Sequence, residues 1–229
     1  MLGKYKFVEK LYENPLSCED NVKDFVLEGE AYRSFPRGRM RLENKMSMSE
    51  GQNSNYVFWC PKDFEGDIAI SWRFWPIKEP GLAIIFFCAK GQNGEDIFDE
   101  ALAKRTGPYK QYHHGDINAY HVGYFRRRFE VERNFHLINL RKSYGAHLVA
   151  DGADPIPSVN DAKEEGYLIT VIKCESKISF YVDELLIWTY EDDGETYGPV
   201  LNEGKIGFRQ MAPLIAEYAD LKVYRVITK

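Results

Sequence analysis

Alternation with a period of two is the feature that most narrows what this 229-residue chain can fold into. In GDIAISWRFWPIK, Gly66 to Lys78, the residues Ile68, Ile70, Trp72 and Phe74 alternate with Ala69, Ser71, Arg73 and Trp75. Successive side chains of an extended strand point to opposite sides, so this segment reads as a strand with two distinct faces. GLAIIFFCAKG, bounded by Gly81 and Gly91, is continuously apolar and reads as a central strand covered on both sides. YLITVIKCESKISFYVDELLIWTYEDD reads as a hairpin: Leu168 to Cys174, a turn near Glu175 to Lys177, then Ile178 to Tyr190. GKIGFRQM and ADLKVYRVI supply two further strands near the C-terminus. Helical pattern is scarce, and its clearest candidate is the short GEDIFDEALAKR, Gly94 to Arg105. Many short strands with turn signals between them predict an all-β fold, two antiparallel sheets in a sandwich or jelly roll with few short helices. The Pro-, Asp- and Gly-rich stretch Asp151 to Gly166 reads as one long surface loop. Strands on both sides of it need partners, so residues 1–229 read as a single domain.

Composition removes some function classes. A net charge of −5 lacks the dominant basic footprint of a nucleic-acid protein. Within it, Tyr120 to His147 carries six basic against two acidic side chains, a local +4. A basic island of that size suits a carboxylated or phosphorylated small partner, or else a solvated strand edge. Cys18, Cys60, Cys88 and Cys174 form no paired motif, and three of them lie in apolar runs, so neither a disulfide framework nor zinc is expected. The N-terminal MLGKYKFVEKLYENPL lacks the apolar core of a signal peptide, and no segment approaches membrane-spanning length. A cytoplasmic location without membrane contact is the expectation.

All five histidines, His113, His114, His121, His136 and His147, fall within 35 consecutive positions, beside the arginine run Arg126 to Arg128. Such clustering marks where binding or chemistry is to be sought. If NAYHVGYFRR is a strand, Asn118, Tyr120, Tyr124 and Arg126 share one face with Val122, and His121, Phe125 and Arg127 share the other. In FHLINLRKS, Asn139 and Arg141 alternate with Ile138 and Leu140. The polar sets Asn118, Tyr124, Arg126 and Asn139, Arg141 are the predicted groove floor. The plain alternative is that His136 and His147 are hydrogen-bonded core histidines and that Arg127 and Arg128 pair with Glu130 and Glu132 on the surface.

The C-terminal ITVIKCESKISFYVDELLIWTYEDDG and GKIGFRQMAPLIAEYADLKVYRV resemble the closing strands of the concanavalin A-like lectin/glucanase superfamily. LYENPLS, VFWCPKDF, EPGLAIIFFCAKG, YHHGDINAYHVGYFRRR and NLRKSYGAHLVADGADPIPSV resemble the YesU-like family of bacteria, a domain of unknown function with the same two-sheet sandwich. The resemblance implies a sugar-binding groove on one sheet and association with polysaccharide breakdown. It carries over no catalytic residues. A structural calcium is compatible with the superfamily, and no other cofactor is expected.

Three chemistries compete for the basic island. Glycoside hydrolysis needs two carboxyls about 5 to 9 Å apart. The superfamily's E.D.E pattern has one literal match, Glu191, Asp193 and Glu195, whose intervening Asp192 and Gly194 mark a turn. β-Elimination of a uronic acid needs neutralisation of the sugar carboxylate, a base and an acid. Arg126 or Arg141, helped by Asn118 or Asn139, suits the first task, His114, His121 or His147 the second, and Tyr124 or Tyr144 the second or third. Metal binding would draw on His114 and Asp116 with His113 or His121. Together these features indicate an oligosaccharide-binding protein, its sugar acidic, with a lyase activity favoured over a plain lectin. His114, His121, Tyr124, Arg126 and Arg141 are the predicted catalytic set. Trp59, Asn118, Asn139, Lys142, Tyr144, His147 and Gln210 are the predicted substrate contacts, and no metal is assigned.

Overall fold

The structure is a computed structural model describing residues 2–229. Fifteen strands are described: β1 (Tyr5–Asn14), β2 (Val26–Glu28), β3 (Ala31–Ser34), β4 (Met40–Asn44), β5 (Tyr56–Glu65), β6 (Ile68–Lys78), β7 (Leu82–Gly91), β8 (Ile117–Tyr124), β9 (Leu137–Lys142), β10 (His147–Ala153), β11 (Tyr167–Cys174), β12 (Lys177–Val182), β13 (Leu185–Glu191), β14 (Glu203–Met211) and β15 (Ile215–Thr228). Short helices α1 (Glu19–Val22), α2 (Lys110–His113) and α3 (Glu130–Phe135) lie between them. Sheet I runs β13-β12-β11-β6-β15-β4-β3, and sheet II runs β10-β9-β8-β7-β14-β5-β2. Every pairing between these strands is antiparallel, as the sequence reading expects. The 14-residue β15 serves two partners on one edge, β4 through Ile215 to Tyr218 and β1 through Leu221 to Thr228. A register shift between Ala219 and Lys222, with Asp220 at φ 54°, marks the changeover.

Ile68, Ile70, Trp72 and Phe74 of β6 fill the space between the sheets. Trp72 meets Tyr124 and Phe208 at 5.8 Å between ring centroids, and Phe74 meets Tyr124 at 5.1 Å. Apolar β7 is covered on both sides, as its composition demands. Ala83, Ile85 and Phe87 face sheet I, while Ile84 and Phe86 face a second, smaller core on the outer side of sheet II. That outer core is closed by residues 92–116, which lay Ile97, Phe98, Leu102, Tyr109 and Tyr112 over Val57, Trp59 and Phe86.

Two expected elements differ. Gly94 to Arg105 is an irregular segment of turns, not a helix. Its apolar Ile97, Phe98 and Leu102 do share one side, but docking to sheet II and the buried Arg105–Glu28 ion pair at 2.7 Å satisfy it without a helical ladder. The stretch Ile178 to Tyr190 is two strands, because Asp183, at φ 52°, reverses the chain between β12 and β13. The Asp151–Gly166 loop begins after Ala153 and includes a 3-10 turn at Val159–Asp161.

Candidate functional site

Four outward-facing residues of β8 and β9 make the floor of a groove on sheet II. His121 stands opposite Arg141, and Gly123 opposite Asn139. The neighbouring strands continue both rows, with Phe86 and Ile84 on β7 and Leu148 and Asp151 on β10. Above this floor lies a cleft of about 330 Å³, walled by Tyr109, Arg126 and Glu132. It continues towards β10 as a hollow of about 230 Å³ bordered by Val131, Phe135 and Leu148. Gly123 keeps the floor low: a Cβ there would stand 3.0 Å from Asn139 Oδ1 and 3.3 Å from Arg126 Cδ. Clefts of about 470 Å³ beside β2 and about 550 Å³ over sheet I are larger. Only the groove gathers the predicted His, Asn and Arg side chains.

The charges there are unevenly matched. Arg126 donates to Glu132 Oε1 at 2.9 Å, and Glu132 also accepts from the Phe129 N–H at 3.0 Å. Arg141 donates from Nη1 to the Ala146 carbonyl at 2.5 Å, and no ion pair to a carboxylate joins it among the described residues. The residue lines the cleft, and a guanidinium matches a carboxylate through two parallel N–H bonds. His121 is buried, with Nε2 2.5 Å from the Tyr109 hydroxyl and Nδ1 without a partner. Burial, reinforced by Arg141, holds its pKa well below the ordinary histidine value, so the imidazole is neutral at pH 7. Burial raises the Tyr109 pKa, opposed by Arg141, Arg209 and Arg126. The groove thus offers one cation without an ion pair, one amide and a neutral phenol–imidazole pair, with the exposed carboxylate of Asp151 at its β10 end.

Of the predicted site residues, the structure brings together His121, Arg126, Asn139 and Arg141. Arg126 arrives by a different route from the one expected. Tyr120, Val122 and Tyr124 point into the core, and His121 and Gly123 point outward, the reverse of the predicted faces of β8. A phenol is mostly apolar, and Tyr120 satisfies its hydroxyl internally by donating to Asp192. Phe125, at φ 47°, then breaks the alternation and turns Arg126 onto the groove side.

Other predicted residues lie elsewhere. Tyr124 is buried among Trp72, Phe74 and Phe180 and cannot meet a ligand. Trp59 is buried under residues 92–116, its indole donating to Glu28 Oε2 at 2.9 Å, so it offers no stacking face. Lys142 points inward and donates to Asp192 Oδ1 at 2.9 Å. Gln210 lies in the core with its amide 2.8 Å from the Tyr218 hydroxyl, and Arg209 takes the outward direction assigned to it. Asn118 is half-buried opposite Lys90, away from the groove. His114 and Tyr144 form an exposed contact 5.3 Å apart, and His147 stacks on Tyr197 at 4.1 Å. His136 caps α3 in the left-handed region. The histidine cluster is therefore shared among four places, and one member reaches the groove.

The competing chemistries fare accordingly. Asp116 is engaged by the Ala103 N–H at 2.7 Å, and no group of three or more His, Cys, Asp or Glu is arranged around a metal position among the described residues. Asp193 accepts from the Glu195 and Thr196 N–H groups at 2.9 Å, so Glu191, Asp193 and Glu195 belong to a turn. Arg127 pairs with buried Asp154 at 2.9 Å instead of a surface glutamate, and Glu132 pairs with Arg126. Sequence reading missed Tyr109, Gly123 and Glu132. Gly123, a glycine inside a strand pattern, was a legible signal of close approach. Tyr109 was not, because it comes from an irregular segment.

Comparison with known proteins sets this geometry in context. The profile of a family described as a domain of unknown function, DUF1961, matches residues 9–223. The uncharacterized protein YesU of Bacillus subtilis (strain 168) is 47% identical over 225 residues, covering 98% of this chain and all of that protein. A crystal structure of a protein of unknown function with a galectin-like fold, from Bacillus subtilis, superposes with a TM-score of 0.94 at 47% identity, covering 98% and 100% of the two chains. The Emp46p carbohydrate recognition domain superposes with a TM-score of 0.61 at 11% identity, covering 96% and 98%, and shares the fold.

Proposed function

Because the chain belongs to the DUF1961 family and has a lectin-like sandwich, we propose that it binds an oligosaccharide through an acidic sugar unit in the groove on sheet II. The observation that carries this reading is Arg141, whose guanidinium borders the cleft beside Asn139 with no carboxylate within ion-pair distance among the described residues, the exposed Asp151 lying further along the floor towards the β10 end. Arg141 receives the sugar carboxylate in a paired N–H contact, Asn139 adds donor and acceptor capacity, and the Gly123 gap admits the ring. Exposed Phe129, Val131, Phe135 and Leu148 give the sugar's apolar edges a wall to lie against. The fold likeness to a carbohydrate recognition domain agrees with this reading. Calorimetric titration with uronide-containing and neutral oligosaccharides tests it. Selective binding of the uronides is expected, and equal binding of both, or of neither, overturns it.

A second reading rests on the Tyr109–His121 contact. In β-elimination a base takes the proton next to the sugar carboxylate and an acid protonates the departing oxygen. With Arg141 neutralising the carboxylate, Tyr109 passes its hydroxyl proton to His121 Nε2 as its oxygen takes the sugar's α-proton, then gives that proton to the departing oxygen and recovers its own from the imidazolium, which leaves both groups as they began. Accumulation of ultraviolet absorbance from an unsaturated product, abolished by Tyr109→Phe, is the expected result. Uronide binding with no absorbance change leaves a lectin without lyase activity.

A further inference from the structure

Sheet I carries a second concentration of charge that the groove does not use. Arg41 on β4, Glu217 on β15 and Trp75 on β6 stand in register across three strands. They point outward, since their neighbours Leu42, Ala216, Tyr218 and Phe74 are in the core. Arg39 lies two residues before Arg41 and lays its guanidinium 3.8 Å from the Trp75 ring centroid. Arg37, held at φ 61°, places Nη2 3.0 Å from both carboxylate oxygens of Glu217. Arg41 donates to Glu217 Oε1 from Nε at 3.0 Å and from Nη2 at 2.5 Å, and Arg39 Nη1 is 3.7 Å from Oε2. Glu217 is completely buried beneath the three. They border a cleft of about 550 Å³ whose far wall is the segment carrying Lys163 and Glu164.

One carboxylate balances one guanidinium, so two positive charges remain. Lys163 is matched separately by Asp183 at 2.7 Å. Glu164, at the rim, is exposed, and no ion pair joins it to the three arginines among the described residues. Each guanidinium has five N–H donors, and a carboxylate accepts about four bonds, so most of the cluster's donors are not spent on Glu217. Like charges held together repel, and balancing a single buried glutamate needs no more than one arginine. Stacking on Trp75 fixes Arg39 before any ligand arrives.

We propose that Arg37, Arg39 and Arg41 form a binding cup for a compact dianion of phosphate type, with Glu217 as the buried strut that spaces them. The cup lies on the opposite sheet from the groove, and its occupancy is independent of uronide binding. The ligand is free phosphate or a phosphate ester, which share this chemistry. Nuclear magnetic resonance of the full chain reads the site directly. The Trp75 indole N–H donates to the Glu164 carbonyl at 2.8 Å and so reports on both walls. Titration with inorganic phosphate shifts that signal and the Arg39 and Arg41 amides saturably, at constant ionic strength. Glucose 6-phosphate, tighter than phosphate, identifies an ester site, and equal or weaker binding identifies free phosphate. Arg39→Gln weakens binding at least about tenfold, as loss of a charge-assisted contact requires. Arg37→Ala, whose side chain is mostly exposed and so leaves folding intact, weakens it in the same direction. Glu217→Gln retains or tightens binding. Absence of a saturable shift at the cup signals, or binding unaffected by both arginine changes, overturns the proposal.

Discussion

Gly123 and Asn139 face each other across the β8–β9 ladder, and the missing glycine side chain is the depth of the groove. Gly123→Ala would bring a methyl to 3.0 Å from Asn139 Oδ1. The displaced atoms are side-chain ends beside a cleft, so stability falls by about 1 kcal/mol, the low end of overpacking costs. Oligosaccharide affinity falls about tenfold or more. Calorimetry and urea unfolding on one preparation separate the two effects.

Arg141 and Arg126 are expected to behave differently although both border the groove. Arg141→Ala removes a cation without an ion pair, costing about 1.5 to 3 kcal/mol in acidic-sugar binding and less than about 1 kcal/mol in stability. Arg126→Ala strips the partner from buried Glu132 and destabilises by about 3 kcal/mol. Adding Glu132→Gln to Arg126→Ala restores much of that stability. Chemical denaturation of the three variants checks the pattern.

Acidification should weaken the fold through the histidines. A free imidazole titrates near 6.5, whereas burial lowers His121 well below that and lowers His113 to about 4, with His114 assisting. Between those limits the unfolded chain binds protons that the folded chain refuses, so stability declines as pH falls from about 6.5 towards 4. His121→Gln flattens the slope. Denaturation midpoints across that range measure it.

Glu28 anchors the covering segment from below, accepting from Trp59 Nε1 at 2.9 Å and from Arg105 Nη2 at 2.7 Å. Glu28→Ala leaves a buried guanidinium unpaired and costs about 3 to 5 kcal/mol. Tryptophan emission should shift to the red as water reaches Trp59.

How much of this was legible in the sequence depended on what alternation can and cannot carry. Periodicity located β6, β7, β11 and β14, and Asn139 and Arg141 were given their true face, because apolar Ile138 and Leu140 define the other. It failed at β8, where Tyr120 and Tyr124 look polar on paper but bury their rings. It also failed at Phe125, since a left-handed residue shifts the register of everything after it. Tyr109 and Glu132 come from an irregular segment and a short helix, where no strand period applies. The cup on sheet I shows the same limit: Arg37, Arg39 and Arg41 alternate visibly, but Glu217 lies 176 positions beyond Arg41.

Residues 92–116 also set a limit on size. With β5 and most of β14 under cover, the open floor runs from the Leu82–Ile84 end of β7 to β10, a width of about 14 Å at ordinary strand spacing. Arg209, donating to the Gly107 carbonyl at 2.6 Å between the rings of Tyr109 and Tyr112, ties that cover down. A glycan seated on Arg141 therefore meets a barrier on one side and solvent on the other. On the proposed reading, a short fragment or a chain end is the ligand expected to seat fully, and comparing the affinities of short and long oligosaccharides measures that limit.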